Sequence, residues 1–167
     1  MKKLLLMRHA AANVQLANED INRTLSDIGR LEILEARKFI ADLKIDKVII
    51  SPSVRTQQTK DLLFQDFEAI KAEIKQELYT TNVEGMLSVI QENDDMESLL
   101  VIGHNPVIYQ LALKMADKKQ DSYEMLIDMN MPTCSIVELD FINANYWQEI
   151  GIDSAKIVKV FRPSARD

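Results

Sequence analysis

Both histidines of this chain stand at the end of a short apolar run. LLLM leads into Arg8-His9, and LLVIG leads into His104-Asn105-Pro106. A third run, KVII, ends on Ser51-Pro52, with Arg55 one helical turn further on. Arginine is a fixed planar cation that suits phosphate oxygens. A phosphomonoester carries roughly −1.5 to −2 charge near neutral pH. A neutral imidazole suits in-line attack on phosphorus, and a second imidazole suits binding the transferring oxygens. Taken singly, Arg8 reads as a strand-end charge, His9 as a hydrogen-bonded structural histidine and His104 as a capping group. Their joint placement is what points to an anion site.

That placement depends on the elements. Residues 2–8, 46–51 and 98–103 read as buried strands, and 74–79 as a shorter one. The spacing predicts an amphipathic helix over 26–43, with Ser26 as N-cap and Ile28, Leu31, Leu34, Ala36, Phe39 and Leu43 inward. A second helix is expected over 52–67, with Pro52 at its first position and Leu62, Leu63 and Phe67 on one face. Thr81 and Glu84 form a capping-box pattern opening a helix to Asn93. A further helix runs from Asn105-Pro106 to Met115, and residues 134–141 and 155–161 read as late strands. Continuous apolar strands alternating with helices predict a three-layer α/β/α sandwich with a mainly parallel central sheet. Ligands of such sheets bind at the carboxyl ends of strands, where Arg8, His9, Ser51, Arg55 and His104 fall. The helix starts after Ser51 and His104 add N–H donors and a favourable dipole for an anion.

The 167 residues suit one domain with a single sizeable core, assigned to 1–167. A net charge of −6 argues against nucleic acid or an anionic membrane as partner, so cations for an anionic ligand must be gathered locally. The lone Cys134 fits a reducing cytosol. No stretch approaches the roughly 18 apolar residues of a membrane span, and a cytoplasmic monomer is expected. Met125, Met129 and Met131 read as core or as a flexible rim, and Trp147 carries no assigned role.

LLLMRHA, NRTLSDIGR, SPSVRTQQT, ELYTTNVEGML, LLVIGHNP, MPTCSIVELDF and FRP, in that order, resemble the histidine phosphatase superfamily, nearly end to end from Leu4 to Pro163. More narrowly, they resemble the SixA-type phosphohistidine phosphatases. The resemblance implies a phosphoglycerate mutase-like fold. It also implies His9 as nucleophile, Arg8 and Arg55 as phosphate-binding arginines, and His104 as the second histidine on the phosphate. The implied reaction transfers the phosphoryl group to His9 and then hydrolyses the phosphohistidine, without cofactor or metal. No His/Cys/Asp cluster with ligand spacing stands against that. The implied partner is a histidine-phosphorylated carrier domain or a small phosphomonoester. The alternatives are a small-molecule phosphomonoesterase of the same superfamily and a non-catalytic phosphate-binding module.

The departures from the pattern carry information. Ala10 follows the Arg-His pair where Gly is usual. Ala12 and Gln15 stand where many members have Thr and Asn. Glu77-Leu78 is followed by Tyr79 and Thr80, with no acid at the position of the usual proton donor. Asn105 stands where another branch has Asp. General acid catalysis contributes ~10²–10⁴-fold to alkoxide departure, whereas imidazole is a far better leaving group. A pocket without a strong acid therefore suits a P–N bond.

Arg23, Asn105 and Glu84 are carried as candidate substrate contacts. Against this, Glu84 reads as half of a capping box, and Arg23 as a loop-fixing partner of Asp20 or Asp27. Ser51 reads as a helix cap, because no Gly-x-Ser-x-Gly elbow surrounds it. Nearby arginines favour the neutral form of both histidines, and bound phosphate favours the charged form of His104, giving a bell-shaped pH profile in the weakly acidic to neutral range. A cysteine-dependent phosphatase fails on Asp140, six residues after Cys134. Walker and dinucleotide glycine motifs are absent.

Overall fold

The computed structural model describes residues 1–14, 19–93 and 96–164. Six strands form one sheet: β1 (Lys2–Arg8), β2 (Lys47–Ile50), β3 (Lys71–Ile74), β4 (Ser98–Gly103), β5 (Ile136–Phe141) and β6 (Lys156–Phe161). Their order is β3-β2-β4-β1-β5-β6. The first four strands pair in parallel, and β5 runs antiparallel to both β1 and β6. The sheet is therefore mainly parallel, as expected.

Strand alternation divides the core. Leu4, Leu6, Ile49, Leu99 and Val101 face one side, where α3 (Val83–Gln91), α4 (Val107–Met115) and α5 (Ser122–Met129) pack. Leu5, Met7, Val48, Ile50, Leu100 and Ile102 face the other, beneath α1 (Asp27–Ile40) and α2 (Val54–Leu63). Both faces are covered, so the strands read as unbroken apolar runs. Trp147 is fully buried in the first layer, and its Nε1 donates to Met96 O at 2.7 Å. Met129 and Met131 are core, while Met125 is exposed. Among the described residues, no helix is long and apolar enough to cross a membrane.

Several elements differ from the sequence expectation. Ser26 caps α1 by accepting from Gly29 N, as expected, but the inward stripe is Gly29, Glu32, Ile33, Ala36 and Ile40. Leu31 and Leu34 are exposed. Ala36 is buried and Phe39 and Leu43 pack against the core, as expected, but the stripe also contains a glycine and a carboxylate that hydropathy does not find. Gly29 is there because a Cβ would lie 2.1 Å from Ala11 O. Glu32 is there because its carboxylate accepts from Ala11 N and Thr133 Oγ1.

The second helix begins at Val54 rather than Pro52 and ends at Leu63, because Ser53 is its cap and accepts from Thr56 N. Leu63 is buried, whereas Phe67 lies beyond the helix and meets Phe64 edge-on. The short strand falls earlier, at Lys71–Ile74, and Gln76–Leu78 turn as a 3-10 helix. Asn82, not Thr81, caps α3 by accepting from Gly85 N. Helix α5 was not anticipated, its polar and apolar residues being too mixed over only eight positions.

Candidate active site

Registry sets the site. Arg8 pairs with Gly103 across β1 and β4, and Ile50 pairs with Ile102 across β2 and β4. The three adjacent strands therefore end at one level, delivering His9, His104 and Ser51 to the same crevice.

The loop carrying His9 is fixed one amide at a time. His9 N donates to Gly103 O on β4, Ala10 N to Thr59 Oγ1 on α2, and Ala11 N to Glu32 Oε2 on α1. Cys134 N donates to His9 O, and Ser26 N to Ala11 O. Three consecutive N–H groups thus go to three different elements, and none is left orphaned. Glu32 on the inner face of α1 and Thr59 on that of α2 are the buried polar groups that meet this loop.

The imidazoles have assignable tautomers. His9 Nδ1 lies 2.8 Å from Ala10 O, which only accepts, so Nδ1 carries the proton. His9 Nε2 then presents its lone pair, and Arg55 Nε donates to it at 3.3 Å. His104 Nδ1 lies 3.3 Å from Arg55 Nη2, which only donates, so Nδ1 accepts. His104 Nε2 therefore carries the proton and donates to Ser51 Oγ at 2.7 Å. The ring centroids are 5.2 Å apart. Burial, opposed by the Ala10 hydrogen bond and reinforced by His104, Arg55 and Arg8, pushes the His9 pKa down to about 3. Burial and then Arg55 push that of His104 down to about 4. Both shifts favour neutral imidazoles near neutral pH, the direction expected from the neighbouring arginines, but burial is the larger cause. Ser51 is not the cap predicted for it; it is the hydroxyl that orients His104.

Arg55 is the hub. It stands in the first turn of α2 and is buried. Besides the two imidazoles, Nη1 donates to Asp20 O at 2.9 Å and Nη2 to Asp20 Oδ2 at 3.0 Å. Arg8 reaches the crevice from β1; its Nη1 donates to Met131 O at 3.3 Å, and its Nε is buried without a partner among the described residues. Asn105 Nδ2 donates to the same carbonyl at 2.9 Å, and its Oδ1 is likewise unpartnered. The backbone presenting Met131 O is left-handed at Asn130 and Met131. Arg8 and Asn105 also line a cavity of about 510 Å³ with Tyr109, Asp128 and Arg162.

Two of the sequence candidates lie off the centre. Glu84 Oε1 accepts from Lys114 Nζ at 2.9 Å, in the last turn of α4. Lys114 is about 10 Å along α4 from Val107, where the helix begins, at 1.5 Å per helical residue. The capping box expected for Glu84 is absent too, since Asn82 is the cap. Arg23 donates to Asn13 O and Asp20 Oδ1, so the loop-fixing partnership with Asp20 is present and the one with Asp27 is not. Gln15 lies outside the described residues.

Asp20 and Tyr79 were not singled out from sequence as site residues. Tyr79 donates its hydroxyl to Asp20 Oδ2 at 2.7 Å, and its ring meets His104 edge-on at 5.8 Å. The Tyr79 hydroxyl, then Arg23 and Arg55, hold the Asp20 carboxyl well below the usual carboxylate range. The one available signal was the gap itself: a phenol stands where an acid is usual.

Residues 4–86 match the histidine phosphatase superfamily (branch 1). The chain belongs to this superfamily. Its fold is that of a proposed phosphohistidine phosphatase SixA from Nakamurella multipartitia, with TM-score 0.82 and 23% identity over 98% of this chain and 97% of that one. A second proposed SixA, from Agrobacterium tumefaciens, gives 0.81 and 23% over 97% and 98%. The protein histidine phosphatase SixA complexed with tungstate gives 0.74 and 20% over 96% and 97%. No curated protein matches the sequence. Within the superfamily frame, this chain is a phosphatase whose buried arginine bridges two neutral histidines.

Proposed function

We propose that this phosphatase hydrolyses phosphohistidine on a protein partner through a phosphorylated His9 intermediate, without a metal. The observation that carries the proposal is the His9 tautomer. With Nδ1–H tied to Ala10 O, Nε2 is left unprotonated, its lone pair accepting from Arg55 Nε at 3.3 Å. A phosphoryl group seated on Arg55 and Arg8 would meet that lone pair in line, its equatorial oxygens neutralised by the two guanidinium groups. His104 Nδ1 faces the same guanidinium and gains a proton when a dianion arrives, because opposite charge favours the charged imidazole. The His9 Nε2–P bond forms as the bond to the leaving group breaks. Water then attacks phosphorus, releasing phosphate and restoring His9.

The substrate class follows from the acids. Glu84 is engaged with Lys114, and Asp20 is held ionised, so neither is a ready proton donor for an alkoxide. Imidazole leaves without such help. The tungstate complex of the similar SixA shows an oxyanion bound by that relative and supports an oxyanion site here.

The test is phosphate release from a histidine-phosphorylated carrier domain in EDTA by wild type and His9→Ala. Release by wild type alone, with an acid-labile label trapped on the wild-type protein, is expected. Release by neither protein, alongside turnover of small phosphomonoesters by wild type, overturns the substrate assignment. Equal release by both overturns the nucleophile.

A further inference from the structure

Asp20 is in a position that the phosphatase reaction so far leaves unused. Its carboxylate sits on Arg55 Nη2 at 3.0 Å, on the group that must take the phosphate. It is nevertheless half exposed, at the mouth of the crevice, with its side chain 51% accessible. Tyr79 and Arg23 hold it there independently of Arg55, through Oδ2 and Oδ1 respectively. When a phosphoryl dianion takes Arg55, the carboxylate loses one partner and keeps two. It stays ionised by the Nη1–Nη2 edge of the guanidinium, whereas His9 Nε2 meets Arg55 Nε. Attack in line from His9 drives the leaving group away from His9, toward the crevice mouth where Asp20 stands.

We infer that Asp20 is a specificity-determining substrate contact: it pairs with the protonated second nitrogen of the leaving imidazole. The inference rests on the phosphohistidine reading above. A phosphorylated imidazole that carries a proton on its other nitrogen is a cation lying between the phosphate and the Asp20 carboxylate. Opposite charges within about 4–6 Å favour that protonated form. When the P–N bond breaks, its electron pair returns to the departing nitrogen. The other nitrogen keeps its proton, and the group leaves as neutral imidazole, with no proton supplied by the enzyme. An alkoxide gains nothing from the same carboxylate, because an ionised acid has no proton to give. The device therefore selects P–N over P–O substrates. Tyr79, by donating to Oδ2 and lying edge-on to His104, is a positioning residue for Asp20.

The experiment compares wild type, Asp20→Asn and Tyr79→Phe on the histidine-phosphorylated carrier, N-phosphoimidazole and phenyl phosphate from pH 5 to 9. For Asp20→Asn, kcat/KM on both P–N substrates is expected to fall about tenfold, with the alkaline limb of kcat, which reports the bound substrate, moved about one pH unit lower. The KM for phenyl phosphate is expected to fall, because the neutral amide no longer competes for Arg55. Tyr79→Phe should move the same ratios in the same direction by less. An equal loss on all three substrates would show that Asp20 only steadies Arg55 and would overturn the inference. A larger loss on phenyl phosphate would also overturn it, by making Asp20 a general acid. If wild type ignores the carrier but the N-phosphoimidazole ratio still shifts, the protein-substrate reading fails and the Asp20 assignment stands.

Discussion

Arg55 Nε donates to His9 Nε2 at 3.3 Å, the same nitrogen that the Nδ1–Ala10 hydrogen bond leaves unprotonated. One guanidinium thus orients the lone pair and, through its other edge, meets His104 and Asp20. Lysine cannot reproduce that fork, because an ammonium is a point charge on a flexible stem. Arg55→Lys is expected to lower kcat/KM on phenyl phosphate by about 10²-fold, in the range seen on removing one preorganised donor. Circular dichroism should stay native. A loss below threefold would mean that Arg8 alone carries the phosphate.

The two depressed histidines tie stability to pH. His9 titrates near 6.5 when unfolded and at about 3 in the fold. Between those values the unfolded chain binds more protons, so stability rises with pH and falls as the solution is acidified through this window. At pH 5 the cost from His9 alone is about 2 kcal/mol relative to pH 8. His104 acts in the same direction, down to about 4. Asp20, whose pKa is depressed, loses its contribution only below the ordinary carboxylate range. Urea midpoints at pH 8 and pH 5 should therefore differ in wild type, and by less in His9→Asn. An unchanged difference would place the buried charge cost elsewhere.

Gly29 sets how closely α1 approaches the His9 loop. An added Cβ would lie 2.1 Å from the Ala11 carbonyl oxygen, and that oxygen belongs to the backbone, which has nowhere to retreat. Ser26 N and Oγ also donate to it. Gly29→Ala should cost about 1–3 kcal/mol by overpacking, although alanine is the better helix former. Equilibrium urea denaturation reads the sign. A stabilised variant would show that α1 can slide away without disturbing the loop.

These cases show what the sequence made legible. β1, β4 and the ends that carry Arg8, His9 and His104 were readable, because doubly covered strands are unbroken apolar runs and their ends are fixed by registry. The boundary of α2 was less so: Ser51, Pro52 and Ser53 are all plausible starting residues, and only the Thr56 hydrogen bond selects Ser53. Ala36, Phe39 and Leu43 on the inward side of α1 were readable, but Gly29 and Glu32 were hidden because they serve backbone groups of a distant loop, which hydropathy does not register. Asp20 was hidden for a similar reason. Its partners Arg55 and Tyr79 lie 35 and 59 residues away in sequence, and a single exposed aspartate carries no local pattern.

Ser51 gives a further test of that long-range wiring. Its hydroxyl accepts from His104 Nε2 at 2.7 Å and is fully buried. This hydrogen bond keeps the proton on Nε2 and turns Nδ1 toward Arg55. Without it, either nitrogen can hold the proton, and the ring is free to present an N–H to the guanidinium that it now accepts from. Ser51→Ala should cost about 1 kcal/mol of stability, the net value of one neutral hydrogen bond. The catalytic effect should be distinct from that cost. On the proposed contact of His104 with the phosphoryl oxygens, kcat should fall more than KM rises, and phosphate should cease to raise the His104 pKa to the wild-type extent. The imidazole C–H resonances of the free and phosphate-bound protein report that titration directly. A variant with normal kcat and a normal phosphate-induced shift would show that Arg55, not Ser51, fixes the ring.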